Sequence, residues 1–118
     1  MPAYMLAHLR KTEAPHPEVL EYLEKIQSAL DPFSGRFLVH GAEVDVREGE
    51  WAGDVVLVEF PSLKRARDFY GSAAYQAILP LRRAHLEGDL IIVEGVEPGH
   101  DSAAMAAEIR LATAENHR

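Results

Sequence analysis

The sequence predicts an α+β protein with elements in the order βαββαβ, followed by a separate helical segment. Three observations carry this. Four apolar runs, at residues 4–10, 36–40, 54–60 and 90–96, are too short for helices and are bounded by glycine, proline or polar residues. Between the first and second runs, and between the third and fourth, apolar residues recur at helical spacing. The length, 118 residues, suits one compact domain with a single core.

The first run is closed by a polar stretch containing Pro15 and Pro17. Pro17 suits a first helical position, Glu18, Glu21 and Glu24 place negative charge in the early turns, and Val19, Leu20, Leu23, Ile26 and Leu30 give the apolar stripe. This helix should stop at Asp31-Pro32. Residues 36–40 form the second strand, which the alternating residues 43–48 are expected to continue beyond a bulge, with a turn at 49–53. The third run, 54–60, is almost wholly β-branched or large and apolar, so it should be central. Ser62 caps a short helix through Tyr70, and Ser72 caps a second that Pro80 should kink or break. The last strand ends at Pro98-Gly99. Residues 101–115 are alanine-rich, lack glycine and proline, and form a helix outside the main domain. The expected organisation is a domain at 1–97 and an appendage at 98–118. Short crossovers and the right-handed rule leave a ferredoxin-like antiparallel sheet of strand order 4-1-3-2.

Composition narrows the function classes. Hydrophobic residues make up 47% and charged residues 26% of the chain, as in an ordinary globular protein. No apolar run is long enough for a membrane helix and no signal peptide is recognisable, so a cytoplasmic protein without membrane contact is expected. The absence of cysteine removes disulfides, thiolate metal sites and a cysteine nucleophile. Twelve basic against nineteen acidic residues give a net charge of −7, which argues against a nucleic-acid partner. Lys64, Arg65 and Arg67 are interrupted by Ala66 and Asp68 and fit a solvated helix face.

Side chains alternate along a strand, so each run can be sorted by parity. One face would hold Met5, Ala7, Leu9, Phe37, Val39, Val56, Val58, Phe60, Ile91 and Val93, and should lie under the helices. The other would hold Leu6, Leu38, Leu57 and Ile92 in its middle, with Tyr4, His8, Arg10, Arg36, His40, Glu59 and Glu94 toward the strand ends. Such an apolar centre needs a cover, and a second copy of the sheet is the economical one. A homodimer is therefore expected.

Five strings, at residues 35–39, 48–51, 58–62, 72–76 and 90–96, are together similar to domain-of-unknown-function family 1330 of the dimeric α/β-barrel superfamily. The resemblance runs through residues 3–96. It implies a ferredoxin-like protomer whose sheet packs face to face on a partner's and leaves an internal cavity, without implying a reaction. Relatives in the superfamily include cofactor-free monooxygenases, lactone isomerases, polyketide cyclases and haem-handling enzymes. His40 stands where the family often has an arginine, and the helix from Asp101 lies outside the resemblance.

For chemistry, the expected catalytic pair is His8 and Glu59, placed on the same face near the C-terminal ends of adjacent strands taken as parallel. Strands about 4.8 Å apart would bring imidazole and carboxylate into hydrogen-bonding reach, fixing the tautomer of a general base. A mutually satisfied structural pair is the competing reading. Arg36 is a candidate to bind an anionic ligand or to neutralise Glu59, depending on strand register. His40 on the edge strand, Tyr4, and Glu94 near Tyr4 but at the far end of the sheet from Glu59 complete the ligand-binding candidates. A metal held by His8, His40 and Glu59 lacks the usual ligand spacing, and neither metal nor cofactor is expected. Three function classes follow: a cofactor-independent enzyme on a small organic molecule, a non-catalytic ligand-binding module, or a purely structural dimer. An interior volume above about 300 Å³ separates the first two from the third.

Overall fold

In a computed structural model, which describes residues 1–10 and 13–116, the elements follow the predicted order: β1 (Ala3–Arg10), α1 (Pro17–Leu30), a 3₁₀ turn (Asp31–Phe33), β2 (Arg36–His40), β3 (Gly53–Phe60), α2 (Leu63–Tyr70), α3 (Ala73–Arg83), β4 (Gly88–Glu94) and α4 (Ser102–Asn116). The four strands form one sheet in the order β2-β3-β1-β4, the expected 4-1-3-2 arrangement, with every neighbouring pair antiparallel.

Local chemistry explains the helix starts. The His16 imidazole accepts the Glu18 amide and Pro17 opens α1, so its missing N–H costs nothing there. Ser62 and Ser72 accept from the amides of Arg65 and Tyr75 and cap α2 and α3. Pro80 does not break α3, which ends three residues later. The buried stripe of α1 is Val19, Tyr22, Ile26, Ala29 and Leu30, while Leu20 and Leu23 stay partly open. Tyr22, Ile26, Ala29 and Leu30 of this stripe build one core between the helices and the sheet with Met5, Val58, Phe60, Ala66, Phe69, Tyr75, Ile78 and Leu79.

The sheet corrects four expectations. First, β1 and β3 run antiparallel, because the crossover through α1 makes β1 parallel to β2 and β3 turns back between them. Second, the parity of β4 is reversed. Ile92 and Leu90 lie opposite Met5 and Ala7 and pack on the core, whereas Ile91 and Val93 lie opposite Leu6 and Tyr4 on the open face. Third, a bulge between Phe37 and Val39 shifts the second strand, so that Val39 is opposite Leu57 and His40 opposite Val56. His40 thereby moves from the open face to the helix side. Fourth, residues 43–48 do not extend β2. At Gly41 the backbone takes a positive φ of 79° and the chain leaves the sheet, with Val44 and Val46 exposed.

The helix α4 has no buried residue. No helix among the described residues is long and apolar enough to cross a membrane.

Candidate functional site

The sheet separates two regions, and the antiparallel register decides which side chains meet in each. On the open face, one end carries the row Arg36, Glu59, Tyr4 and Val93. The middle carries Val39, Leu57, Leu6 and Ile91, and the other end Val55, His8 and Asp89. His8 and Glu59 are therefore not a pair. His8 is opposite Val55, four positions from Glu59, which separates them by about 13 Å along the strand. Glu59 Oε1 instead accepts from Arg36 Nε at 2.9 Å and Nη2 at 2.8 Å. The residue directly across from His8 on β4 is a carboxylate, Asp89. Glu94 is opposite Ala3, at the same end as Glu59, and shares the helix-side parity of Leu90 and Ile92. Its nearness to Tyr4 in register holds; its separation from Glu59 does not.

Trp51 folds back over the open face and stacks on the His8 ring, with centroids 4.0 Å apart. Beneath it His8 Nε2 is buried and has no hydrogen-bond partner among the described residues. An orphaned buried polar atom costs about 1–3 kcal/mol.

On the helix side, a cleft of about 450 Å³ opens between α1 and the sheet, lined by Leu9, Val19, Leu23, Val56 and Leu86, with Arg10, His40 and Asp54 as polar groups of its wall. Its size lies within the range of small-molecule sites. The His40 ring lies flat on Phe37, centroids 4.0 Å apart. Leu9, Val19, Leu23, His40, Val56 and Leu86 also line a deeper chamber of about 50 Å³, whose far wall is Tyr22 and Arg82. There the Tyr22 and Tyr75 hydroxyls are 2.9 Å apart and the Arg82 guanidinium carbon lies 5.6 Å from the Tyr22 ring centroid. Arg82 is only 7% exposed. Among the described residues no carboxylate forms an ion pair with it. Burial pushes the Tyr22 phenol above its ordinary range, and Tyr75 adds to the push, so Tyr22 stays a neutral hydroxyl. For Arg82 burial works against the charge, but the two phenolic oxygens outweigh it and the net shift is upward. The side chain remains a guanidinium.

The metal-ligand trio weighed from sequence does not converge. His8 and His40 are on opposite sides of the sheet and Glu59 is bound to Arg36. A different trio, His16, Glu18 and His85, brings its ligand atoms within 4.8 Å of one another. The His85 Nε2 to Glu18 Oε1 contact is 2.9 Å, but the two imidazoles stack at 8°, aiming their lone pairs side by side rather than at one point. As arranged, it is a capping and hydrogen-bonding cluster.

Arg82, Tyr22, Tyr75 and Asp89 are not among the site residues expected from the sequence. A signal existed for Arg82: Tyr75, Ile78, Leu79 and Arg82 share one helical face, and all four are buried.

These features define an α+β protein of ferredoxin-like fold with a helix-side cleft. The chain belongs to the family described as Domain of unknown function (DUF1330), whose model matches residues 2–96. No curated protein is significantly similar to it. Among solved structures it is similar to methylated RPA0582, a Rhodopseudomonas palustris protein of unknown function (21% identity, TM-score 0.63, 84% of each chain covered). A dimeric ferredoxin-like protein of unknown function from Jannaschia sp. CCS1 matches with 11% identity and a TM-score of 0.62, over 80% of this chain and all of that one, covered at 100%. SnoaB, a cofactor-independent oxygenase from Streptomyces nogalater, matches with 11% identity and a TM-score of 0.56, over 85% of this chain and 98% of that one.

Proposed function

We propose that this protein binds a small, mainly apolar organic molecule in the cleft between α1 and the sheet, as a homodimer joined through the open sheet face. The observation that supports the binding reading is the cleft itself: about 450 Å³, apolar-walled, with a titratable imidazole in its wall and a buried polar cluster behind it. A purely structural dimer has no need of such a volume. The dimer is supported by the half-exposed Ile91 and Val93 beside Leu6 and Leu57, and by a neighbour of the same fold that is described as dimeric.

Turnover without a cofactor is the second reading. It is favoured by His40, whose ring is held against Phe37 in the cleft wall where it can take or give a proton, and by a same-fold neighbour named as a cofactor-independent oxygenase. His8, with Asp89 across from it, is the corresponding group on the dimer side.

The test of binding uses 1-octanol, a neutral apolar probe, followed through the methyl resonances of Val19, Leu23, Val56 and Leu86. Shifts that saturate and vanish in Leu23→Trp, which fills the cleft mouth, are expected. Saturable binding that is indifferent to Leu23→Trp, or none at all, sinks the reading.

A further inference from the structure

We infer that the ligand of this cleft is an anion, specifically an apolar acid whose carboxylate enters the deep chamber and meets Arg82. The inference rests on the binding reading above and adds the chemical class of the ligand.

Removing a charge from water is costly unless an opposite charge or several hydrogen bonds replace the lost hydration. The ion pairs among the described residues are at least partly exposed, yet Arg82 is 7% exposed and has tyrosines, not a carboxylate, for company. Aromatic contact and the carbonyl end of α3 offset part of the penalty. Neither supplies a counter-ion. Because the Tyr22 phenol stays neutral, the guanidinium is, among the described residues, the one full charge on the far wall of the chamber.

The geometry of the space agrees. The chamber holds about 50 Å³, enough for a water or two or for a carboxylate head, but not for a whole ligand. It adjoins the larger outer cleft, with which it shares the wall residues Leu9, Val19, Leu23, Val56 and Leu86. A ligand that filled both would be charged at its inner end and apolar behind it. Arg82 offers a planar donor fork, and the Tyr22 hydroxyl, which lines the chamber and can accept from Tyr75, can donate to a carboxylate oxygen. The acid would face this cation in a protein of net charge −7, whose acidic surface repels anions, so selectivity must come from the chamber and not from long-range attraction.

The experiment compares octanoate, octanamide and 1-octanol on the full chain by calorimetry and by chemical-shift titration. Octanoate should bind at least tenfold more tightly than the two neutral probes, and Arg82→Gln should remove that preference. Arg82→Lys, which keeps the charge but loses the fork, should fall between. The comparison on the unaltered protein stands even where Arg82→Gln fails to fold. Equal affinity for the three probes overturns the anion inference and leaves the cleft as a binding site. No saturable binding of any probe overturns both. A preference for octanoate that persists in a folded Arg82→Gln overturns the assignment to Arg82.

Discussion

Gly53 shows how narrowly single positions set the sheet. A Cβ added there would lie 2.1 Å from the Leu9 carbonyl oxygen, and a main-chain atom inside a ladder cannot move aside cheaply. Gly53→Ala should lower unfolding free energy by at least about 2 kcal/mol in urea titration; a change within error would mean that β1 and β3 are not in this register. Tyr22 gives a prediction with a pH signature. Its folded pKa is raised above the unfolded value of about 10, so the stability it supports is complete below that pH and is lost as pH rises further. Unfolding free energy should fall progressively above about pH 10, and Tyr22→Phe should flatten that fall at the expense of about 1 kcal/mol at neutral pH. A slope identical in the two proteins would place the alkaline sensitivity elsewhere. At this scale the sequence was least legible. Arg82 was passed over because an arginine on an amphipathic helix is usually solvated, and only the packing of Tyr22 and Tyr75 around it reveals otherwise.

Elements were far easier to anticipate. Pro17, Ser62 and Ser72 mark helix starts by chemistry that is local in sequence, and the β-branched run of β3 leaves little alternative to a central strand. The errors came from relations between elements. His8 and Glu59 were joined by a wrong strand direction, and His40 was misplaced by one residue of bulge, neither of which leaves a mark in local composition. The fourth helix poses the opposite case, an element correctly foreseen whose partner is absent. Met105, Ile109 and Leu111 are all at least half exposed, and an isolated helix of this length is marginal in water. If residues 98–118 act as an appendage, removing them should shift the melting temperature by no more than about 2 °C, since no buried contact is lost. Fast amide exchange through the segment 102–116 would mean that it stays undocked in solution; strong protection would mean that it docks on a second copy.

For the whole molecule, the proposed dimer is joined through the face carrying Leu6, Leu57, Ile91 and Val93. A stable dimer through it should bury more than about 1,000 Å². Leu57→Asp and Ile91→Asp should each convert the dimer to monomer, or unfold it, when followed by light scattering and circular dichroism. Ile92→Asp should instead destabilise the protomer core, because Ile92 packs beneath the helices. Unaltered dimers in both open-face variants would exclude this face. The same proposed interface bears on His8, whose buried Nε2 has no partner among the described residues. A dimer or a trapped ligand that supplies one would make the imidazole a reporter of assembly.

The bulge in β2 has a consequence for comparing this chain with its relatives. Between Phe37 and His40 it is the bulge that decides which compartment the imidazole inhabits. A relative with the same letters in a regular strand would place its histidine opposite the position of Val55, on the open face, and one with an arginine in that column would answer to a different chamber altogether. Columns of an alignment across residues 36–40 therefore do not compare like with like until the bulge has been placed. Deleting Leu38 would test this directly, because it removes the extra residue and should leave His40 opposite Val56, on the helix side.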